Sequence, residues 1–210
     1  EQKKYDVYKT LLEAVRTGDL SEKRIDESVK RILALKLKRG IFNVDRRPAT
    51  LVQDILESPN HQKIAKQIAS QAVTVVFDRD KLLPFGEDNP KKVLVITPLL
   101  QFYKDLKFYH ERVGGYFIPF RPTVDQLNSA TEEILSKKHR YDIIVFGVTH
   151  SSQLELINRI SQKIENPIVV VSFNSPYYVR QLSHISTYIC SYGVEKELIQ
   201  STAEVMSGII

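Results

Sequence analysis

The hydrophobic and polar positions of the first 42 residues predict two amphipathic helices. In the first, from about Tyr5 to Thr17, apolar residues recur at helical spacing, and Gly18 follows as a stop. The second begins after Ser21, a favoured N-cap, and ends before Gly40. Its apolar stripe comprises Ile25, Val29, Ile32, Leu33 and Leu37. A stripe of this kind is typical of a helix that packs on a larger neighbour.

A polar segment separates this helical pair from the rest of the chain. Residues 43–57 contain Pro48 and read as a linker, with a short helical turn within "LVQDILESP". A third helix begins at Ser58, with Pro59 at its first helical position. We therefore predict terminal helices at 1–42, a linker at 43–57 and a second domain at 58–210.

Strands alternate with helices through the second domain. Apolar, β-branched runs predict strands at 73–77, 92–97, 142–148 and 167–173, with a weaker fifth at 187–190. Helices are predicted at 101–112, 123–138, 151–164, 177–182 and 195–208, and "RVGGY" is interpreted as a helix stop. This alternation predicts an α/β fold, a mostly parallel sheet with helices on both faces in a Rossmann-like three-layer sandwich. Ligand loops in such sheets follow the carboxyl ends of the strands, here at Thr97, Thr149 and Asn174.

Charge and composition exclude several classes of function. The net charge is +5, but residues 1–50 hold 13 Lys/Arg against 8 Asp/Glu, whereas residues 51–210 hold 17 of each. The second domain therefore has no basic bias, and we predict no nucleic-acid partner. No apolar run approaches the roughly 18 residues of a membrane span, and the first residues show no signal peptide. The lone Cys190 excludes an intrachain disulfide without indicating a compartment.

Motifs for cofactors and metals are missing. "VLVITPLLQF" has no glycine after the strand, where a dinucleotide fingerprint would need several, and no P-loop pattern occurs. The five histidines and Cys190 are not at metal-ligand spacing. We therefore predict neither a metal nor an organic cofactor.

One histidine and the serine that follows it are candidates for nucleophilic chemistry. His150 and Ser151 follow the strand at 142–148, but the elbow motif G-x-S-x-G is absent. The favoured interpretation is that Ser151 or Ser152 caps the next helix and His150 is a loop residue. Hydrolysis centred on His150 and Ser151 is the less favoured alternative.

Neither carboxylate pair in the second domain resembles a tuned acid and base. Asp78 and Asp80 lie in a turn, where aspartate commonly bonds the local backbone. Glu132 and Glu133 lie on a polar helix face. Spacing alone thus indicates an α/β domain with a detached helical pair and no visible catalytic centre.

The loop "SFNSPYYV" is the most specific polar loop of the domain. It follows the most hydrophobic strand, and Asn174, Ser175 and Tyr177 could contact a ligand or a neighbouring domain. The simpler interpretation is a turn that begins a helix at Pro176. With His150, these residues form the candidate ligand or domain-interface site.

Five segments, in order along the chain, together carry a family resemblance: "LLEAVRTGDLSEKRIDESVKRILALKLKRGIF", "IAKQIASQAVTVVFDRDKLLPF", "YDIIVFGV", "PIVVVSFNSPYYV" and "YICSYG". They resemble glycoside hydrolases of family three, in particular the two-domain bacterial β-N-acetylglucosaminidases. The first resembles the segment that closes the catalytic (β/α)₈ barrel, the second is similar to the start of the second domain, and the last three resemble three of its strands. The Asn-x-Pro-Tyr loop is typical of the acetylglucosaminidase branch.

The resemblance implies that the catalytic residues lie outside this chain. A barrel takes roughly 250 residues, so residues 1–42 would be only its last helices. In that family the nucleophilic aspartate lies on the barrel, and this branch carries an acid/base histidine and a partner aspartate in a Lys-His-Phe-Pro-Gly-His-Gly-like barrel motif, which has no match here. The β-glucosidase branch instead has a glutamate in an acidic insertion after the strand that matches "DIIVFGV". Here "THSSQLELINRI" has no insertion, and Glu155 is a poor substitute.

The resemblance therefore implies a non-catalytic C-terminal domain, inactive alone, of a retaining β-N-acetylglucosaminidase. Such an enzyme would release terminal N-acetylglucosamine from cell-wall muropeptides or chitin-type oligosaccharides. Its partners would be the catalytic barrel of the same protein and, through that barrel, the carbohydrate. The alternative is a free-standing α/β ligand-binding or regulatory module without an enzymatic parent. Location stays open, although the resemblance suggests export or lipid anchoring.

Overall fold

The computed structural model describes residues 2–43, 55–56, 58–85 and 91–210. Two compact units divide the chain, unit one within residues 1–56 and unit two within residues 57–210. Most of the predicted linker, and most of the helical turn predicted in "LVQDILESP", lie outside the described residues.

Unit one contains the two helices that the apolar spacing predicts. They are α1 (Gln2–Arg16) and α2 (Glu22–Lys38), and a 3₁₀ turn follows at Ile41–Asn43. The Ser21 hydroxyl accepts a hydrogen bond from the Arg24 amide at 3.2 Å and caps α2. No residue of α2 is buried, and its apolar stripe is 45–69% exposed at Val29, Ile32, Leu33 and Leu37. The unit does not cover its own hydrophobic face.

Unit two is an α/β sandwich. Its strands are β1 (Thr74–Asp78), β2 (Val93–Thr97), β3 (Val113–Phe117), β4 (Ile143–Val148), β5 (Ile168–Ser172) and β6 (Thr187–Cys190). Its α-helices are α3 (Pro59–Ala72), α4 (Leu100–Tyr109), α5 (Val124–Lys137), α6 (Leu154–Ser161) and α7 (Lys196–Ser207), with 3₁₀ helices at Lys138–Arg140, Ser151–Gln153 and Pro176–Gln181. The sheet order is β1-β6-β5-β4-β2-β3. Only β1 runs antiparallel, against β6, which confirms the predicted mostly parallel sheet.

The core has two layers because the central strands are buried on both faces. Every residue of β2, β4, β5 and β6 is buried, as their continuous apolar runs predict. One layer packs α5 and α6 on the sheet through residues such as Ile134 and Ile157. The other packs α4 and α7 through residues such as Phe102 and Met206. Helices therefore cover both faces of the sheet.

The interpretation of "RVGGY" as a helix stop is wrong, because Gly114 and Gly115 lie in the edge strand β3. A Cβ on Gly114 would collide with the Tyr141 ring, and a Cβ on Gly115 would lie 2.9 Å from the Tyr103 ring. The two tyrosine rings cover the strand in place of β-branched side chains. Glycine is needed here for this close approach, so strand propensity fails to mark the strand.

The strand order places a topological switch point between β2 and β4. From β2 the chain crosses to β3 on one side, and then returns past β2 to β4 on the other. The loops after β2 and β4 therefore leave the sheet in opposite directions at its carboxyl edge, where parallel α/β sheets bind ligands.

Candidate functional site

Gly147 of β4 leaves the space beside it to the side chains of Thr97 and Phe102. A Cβ on Gly147 would lie 2.6 Å from Thr97 Oγ1 and 3.2 Å from the Phe102 ring. The same Thr97 hydroxyl accepts a hydrogen bond from the Leu99 amide at 3.1 Å, which shapes the loop after β2. The absence of a Cβ at Gly147 thus allows these side chains to pack tightly at the carboxyl edge of the sheet.

Replacing Gly147 by alanine is expected to lower the free energy of unfolding by about 1–3 kcal/mol, because a buried Cβ would overpack the space beside Thr97. Urea unfolding of the single and double variants measures it. Thr97→Ala removes the nearest atom, so the double variant is expected to lose about 1 kcal/mol less than the two single losses together. Strictly additive losses would contradict the proposed contact.

Gln153 joins the loops that follow β3 and β4. Its side chain is buried, and its Oε1 accepts hydrogen bonds from the amides of Thr149 at 2.8 Å and His150 at 3.3 Å. Its Nε2 donates to the carbonyl oxygens of Pro119 at 3.1 Å and Phe120 at 3.2 Å. Sequence reasoning missed Gln153, although a glutamine three residues after a cap position is a capping-box signal.

His150 caps the helical segment that begins at Ser151. The ring Nδ1 accepts a hydrogen bond from the Ser152 amide at 3.1 Å and lies 2.9 Å from Ser152 Oγ. The expectation that Ser151 or Ser152 is the cap is therefore wrong, because the imidazole reaches the free amide. Ser151 is exposed and is not bonded to the ring, which gives the predicted His150–Ser151 hydrolytic pair no geometric support.

The turn after β5 is held from both sides. Ser172 Oγ donates to the Ser175 carbonyl at 2.8 Å, and Ser175 Oγ accepts from the Tyr177 amide at 3.3 Å. The Tyr188 hydroxyl lies 3.4 Å from the carbonyl oxygens of Ser175 and Pro176. Burial raises the pKa of Tyr188 to about 12, so this phenol stays a neutral donor. The simpler interpretation, a turn that begins a helix at Pro176, describes this geometry, with the helix of 3₁₀ type.

Asn174 connects the turn after β5 to the loop after β4. Its Nδ2 donates to the Thr149 carbonyl at 3.2 Å. Tyr177, three residues on, is 63% exposed, and the Arg180 guanidinium lies 5.2 Å from the centre of its ring. The fold therefore brings Asn174 next to the loop that carries His150, while Ser175 is used within its own turn.

The Asp78 carboxylate is fully engaged in hydrogen bonds within the domain. It accepts hydrogen bonds from Thr187 Oγ1 at 2.6 Å and from the amides of Leu82 and Leu83 at 3.0 Å each. Burial alone would raise the pKa of Asp78, but these hydrogen bonds outweigh it and hold the pKa below its usual value. A carboxylate stabilised in this way is a poor proton donor, as expected for a turn residue.

Glu204 is a buried carboxylate that sequence reasoning did not single out. It is 3% exposed on α7, and its Oε1 accepts from Lys66 Nζ at 3.2 Å, Tyr109 OH at 3.2 Å and Gln200 Nε2 at 2.8 Å. These bonds tie α3 and α4 to α7 on one face of the sheet. The side chain therefore has a structural role away from the carboxyl edge.

Among the described residues, no group of three or more histidine, cysteine, aspartate and glutamate side chains could hold a metal ion. None of the described helices is both long and apolar enough to span a bilayer.

Comparison with known proteins identifies a common architecture. No family model matches the chain. A curated β-N-acetylglucosaminidase/β-glucosidase from Cellulomonas fimi is 24% identical over 228 residues, which cover 92% of this chain and 38% of the relative. A family-three β-N-acetylglucosaminidase from Paenibacillus sp. FPU-7 superposes with a TM-score of 0.66 at 24% identity, over 95% of this chain and 40% of that one. A β-glucoside phosphorylase superposes with a TM-score of 0.62 at 23% identity, over 96% and 39% of the two chains.

The chain resembles the C-terminal part of family-three glycoside hydrolases. This family-three-like chain spans about two fifths of the length of the Cellulomonas and Paenibacillus proteins. Shorter matches include a lysosomal β-glucosidase of Dictyostelium discoideum, 30% identical over 97 residues, which cover 46% of this chain and 12% of the relative. The curated relatives of Cellulomonas and Dictyostelium are glycosidases of several specificities, so the similarity supports a glycosidase parent without choosing its sugar.

Proposed function

We propose that this chain is the non-catalytic C-terminal domain of a retaining β-N-acetylglucosaminidase. The observation that carries the proposal is the match of more than nine tenths of the chain to two fifths of the Cellulomonas relative. The parent would hydrolyse terminal N-acetylglucosamine from cell-wall muropeptides or chitin-type oligosaccharides. Its catalytic groups would lie in a barrel outside these 210 residues.

The side chains of unit two support the proposal that the catalytic centre lies elsewhere. A retaining glycosidase needs an acid/base and a nucleophile about 5 Å apart, flanking one glycosidic bond. The residues directly after β2, β4 and β5, at 98–99, 149–152 and 173–175, include no carboxylate. Asp78 is already held by three hydrogen bonds within the fold. These loops therefore offer hydrogen-bonding groups but no acid pair.

The short loop after β4 favours an acetylglucosaminidase over a glucosidase. The chain passes from β4 through Thr149 and His150 directly into the 3₁₀ helix and α6, and Gln153 closes this turn. An acidic insertion with an acid/base glutamate has no room in so short a connection. Glu155 lies on the exposed side of α6 and is paired with Arg159.

The exposed apolar face of unit one supports the proposal that a catalytic barrel packs against it. A groove of about 340 Å³ in this unit is lined by Tyr8, Leu11, Leu12, Val15, Glu22, Ile25 and Asp26. Helices that bury so little apolar surface are stable only when a neighbour covers them. We expect the catalytic barrel of the same protein to cover this face.

The complete product of the reading frame is expected to hydrolyse 4-nitrophenyl N-acetyl-β-glucosaminide. The 210-residue chain is expected to have a kcat/KM at least about a thousand-fold lower, because it lacks the acid/base and the nucleophile. Nitrophenol release from both proteins measures the difference, with the β-glucoside and the β-xyloside as competing substrates.

Three outcomes would contradict this proposal in different ways. Parent-like turnover by the 210-residue chain would place catalysis within it. A preference of the complete protein for the glucoside would assign the glucosidase specificity instead. A reading frame that begins near Glu1 and has no activity would favour a free-standing α/β module.

A further inference from the structure

We infer that the loops after β4 and β5 form a saccharide-binding site in which His150 Nε2 donates a hydrogen bond to a sugar oxygen. The inference starts from the hydrogen bonds that fix the imidazole and continues through its neighbours Ser151 and Asn174. The choice of a sugar as the ligand class rests on the proposed function, whereas the geometry of the donor does not.

The local turn selects one tautomer of His150. A backbone amide can only donate, and the Ser152 amide points at Nδ1 from 3.1 Å. Nδ1 must therefore be the bare, accepting nitrogen, and the proton of the neutral ring lies on Nε2. Ser152 Oγ, 2.9 Å from the same Nδ1, adds a second donor to it. The cap thus fixes both the tautomer and the orientation of the ring.

The Nε2 proton of His150 is free to bind a ligand. The two hydrogen bonds of the ring both involve Nδ1, and no residue that the structure describes accepts from Nε2. The ring is half-buried. Nε2 has no partner among the described residues and is not fully buried, so it reaches solvent. A fixed, solvent-accessible donor loses little conformational entropy when a ligand binds.

Ser151 and Asn174 supply complementary groups on the same two loops as this donor. Ser151 is exposed and immediately follows His150, so its hydroxyl can donate or accept. Asn174 uses Nδ2 on the Thr149 carbonyl at 3.2 Å, which leaves its Oδ1 as an acceptor on an exposed side chain. The bond to Thr149 holds this acceptor against the loop that carries His150.

The chemistry of this group suits a neutral, hydroxyl-rich ligand. With the ring in its neutral tautomer, His150, Ser151 and Asn174 carry no formal charge. Phosphate and carboxylate ligands are usually held by cationic side chains, which these three positions do not provide. A sugar presents hydroxyl groups that both donate and accept hydrogen bonds. These hydroxyl groups match the donor of His150, the acceptor of Asn174 and the hydroxyl of Ser151. The positions of these residues at the carboxyl edge of the sheet agree with ligand binding there.

Two substitutions separate the Nε2 donor from the Nδ1 cap. His150→Asn places an oxygen near the position of Nδ1, keeps the cap on Ser152 and removes the outer donor. His150→Gln extends to the position of Nε2 with an amide donor and gives up the cap. His139→Gln, at an exposed histidine in the turn after α5, is the matched control.

The test uses the 210-residue chain, long-range ¹⁵N–¹H NMR of the histidine rings and triacetylchitotriose. We expect His150 without ligand to show a bare Nδ1 and a protonated Nε2, and binding at about millimolar Kd to shift its Nε2 and the Asn174 side-chain amide. His150→Asn is expected to weaken binding at least about tenfold, and His150→Gln by less than about threefold. His139→Gln is expected to leave the Kd unchanged.

Four results would overturn the inference. The first is a protonated His150 Nδ1 in the free protein, and the second is no NMR shift at a sugar concentration about ten times the expected Kd. The third is equal sugar affinity of His150→Asn and the unsubstituted chain. The fourth is NMR shifts with inorganic phosphate but not with the sugar. The hydrolysis assay of the complete protein is a separate readout. Binding without hydrolysis would contradict the proposed function alone, and hydrolysis without binding at His150 would contradict this inference alone.

Discussion

Replacing Phe102 by alanine is expected to lower the free energy of unfolding of unit two by about 3–5 kcal/mol. Its side chain is fully buried on α4, and its ring meets the edge of Phe173 with the centroids 5.0 Å apart. It also lies directly against Gly147, below the switch point. Truncation removes a large apolar area and leaves a cavity that the packed sheet cannot close.

Phe108, six residues further along α4, is the matched control for this prediction. It is 81% exposed, so Phe108→Ala is expected to change the free energy of unfolding by less than about 0.5 kcal/mol. Urea unfolding followed by circular dichroism compares the two variants at equal helix content. Similar losses for both would show that Phe102 does not belong to the core of unit two.

Replacing Asp78 by alanine is expected to cost about 2–3 kcal/mol at pH 7, because three donors would lose their acceptor. Thr187 Oγ1 and the amides of Leu82 and Leu83 all bond this carboxylate. Asp80→Ala, in the same turn but exposed, is expected to change stability by less than about 0.5 kcal/mol.

The contribution of Asp78 is also expected to depend on pH. Because the pKa of Asp78 is lower in the folded state than in the unfolded chain, the carboxylate stabilises the fold fully above the unfolded pKa of about 3.9. That stabilisation is lost as the pH falls through the folded pKa. The difference in stability between the Asp78→Ala variant and the unsubstituted chain should therefore shrink below about pH 4. A constant difference between pH 7 and pH 3 would contradict the role assigned to the carboxylate.

The elements that the sequence predicted are those with strong local signals. The runs that became β2, β4 and β5 were recognised because strands covered on both faces are apolar throughout. The caps at Ser21 and Ser58 were recognised because a hydroxyl can bond an amide of its own first turn. The predicted candidate residues Asn174, Ser175 and His150 lie in loops at the carboxyl edge of the sheet, and Tyr177 lies in the 3₁₀ helix that follows the turn after β5.

The elements that sequence reasoning missed depend on distant partners. β3 was missed because its cover comes from Tyr103 and Tyr141, which lie far from Gly114 and Gly115 in the chain. The role of Gln153 was missed because two of its four partners are carbonyl oxygens after β3. The role of Asn174 depends likewise on the loop after β4, 25 residues earlier.

The sequence by itself determined the class of this fold, the order of its main strands and helices, and the absence of a recognisable catalytic motif. Periodicity and capping carry that information because they depend on neighbours within a few residues. Only the tertiary structure decided the switch point between β2 and β4 and the contact between Asn174 and the loop after β4. Each of these depends on how residues remote in the chain come together, which local periodicity and capping do not encode.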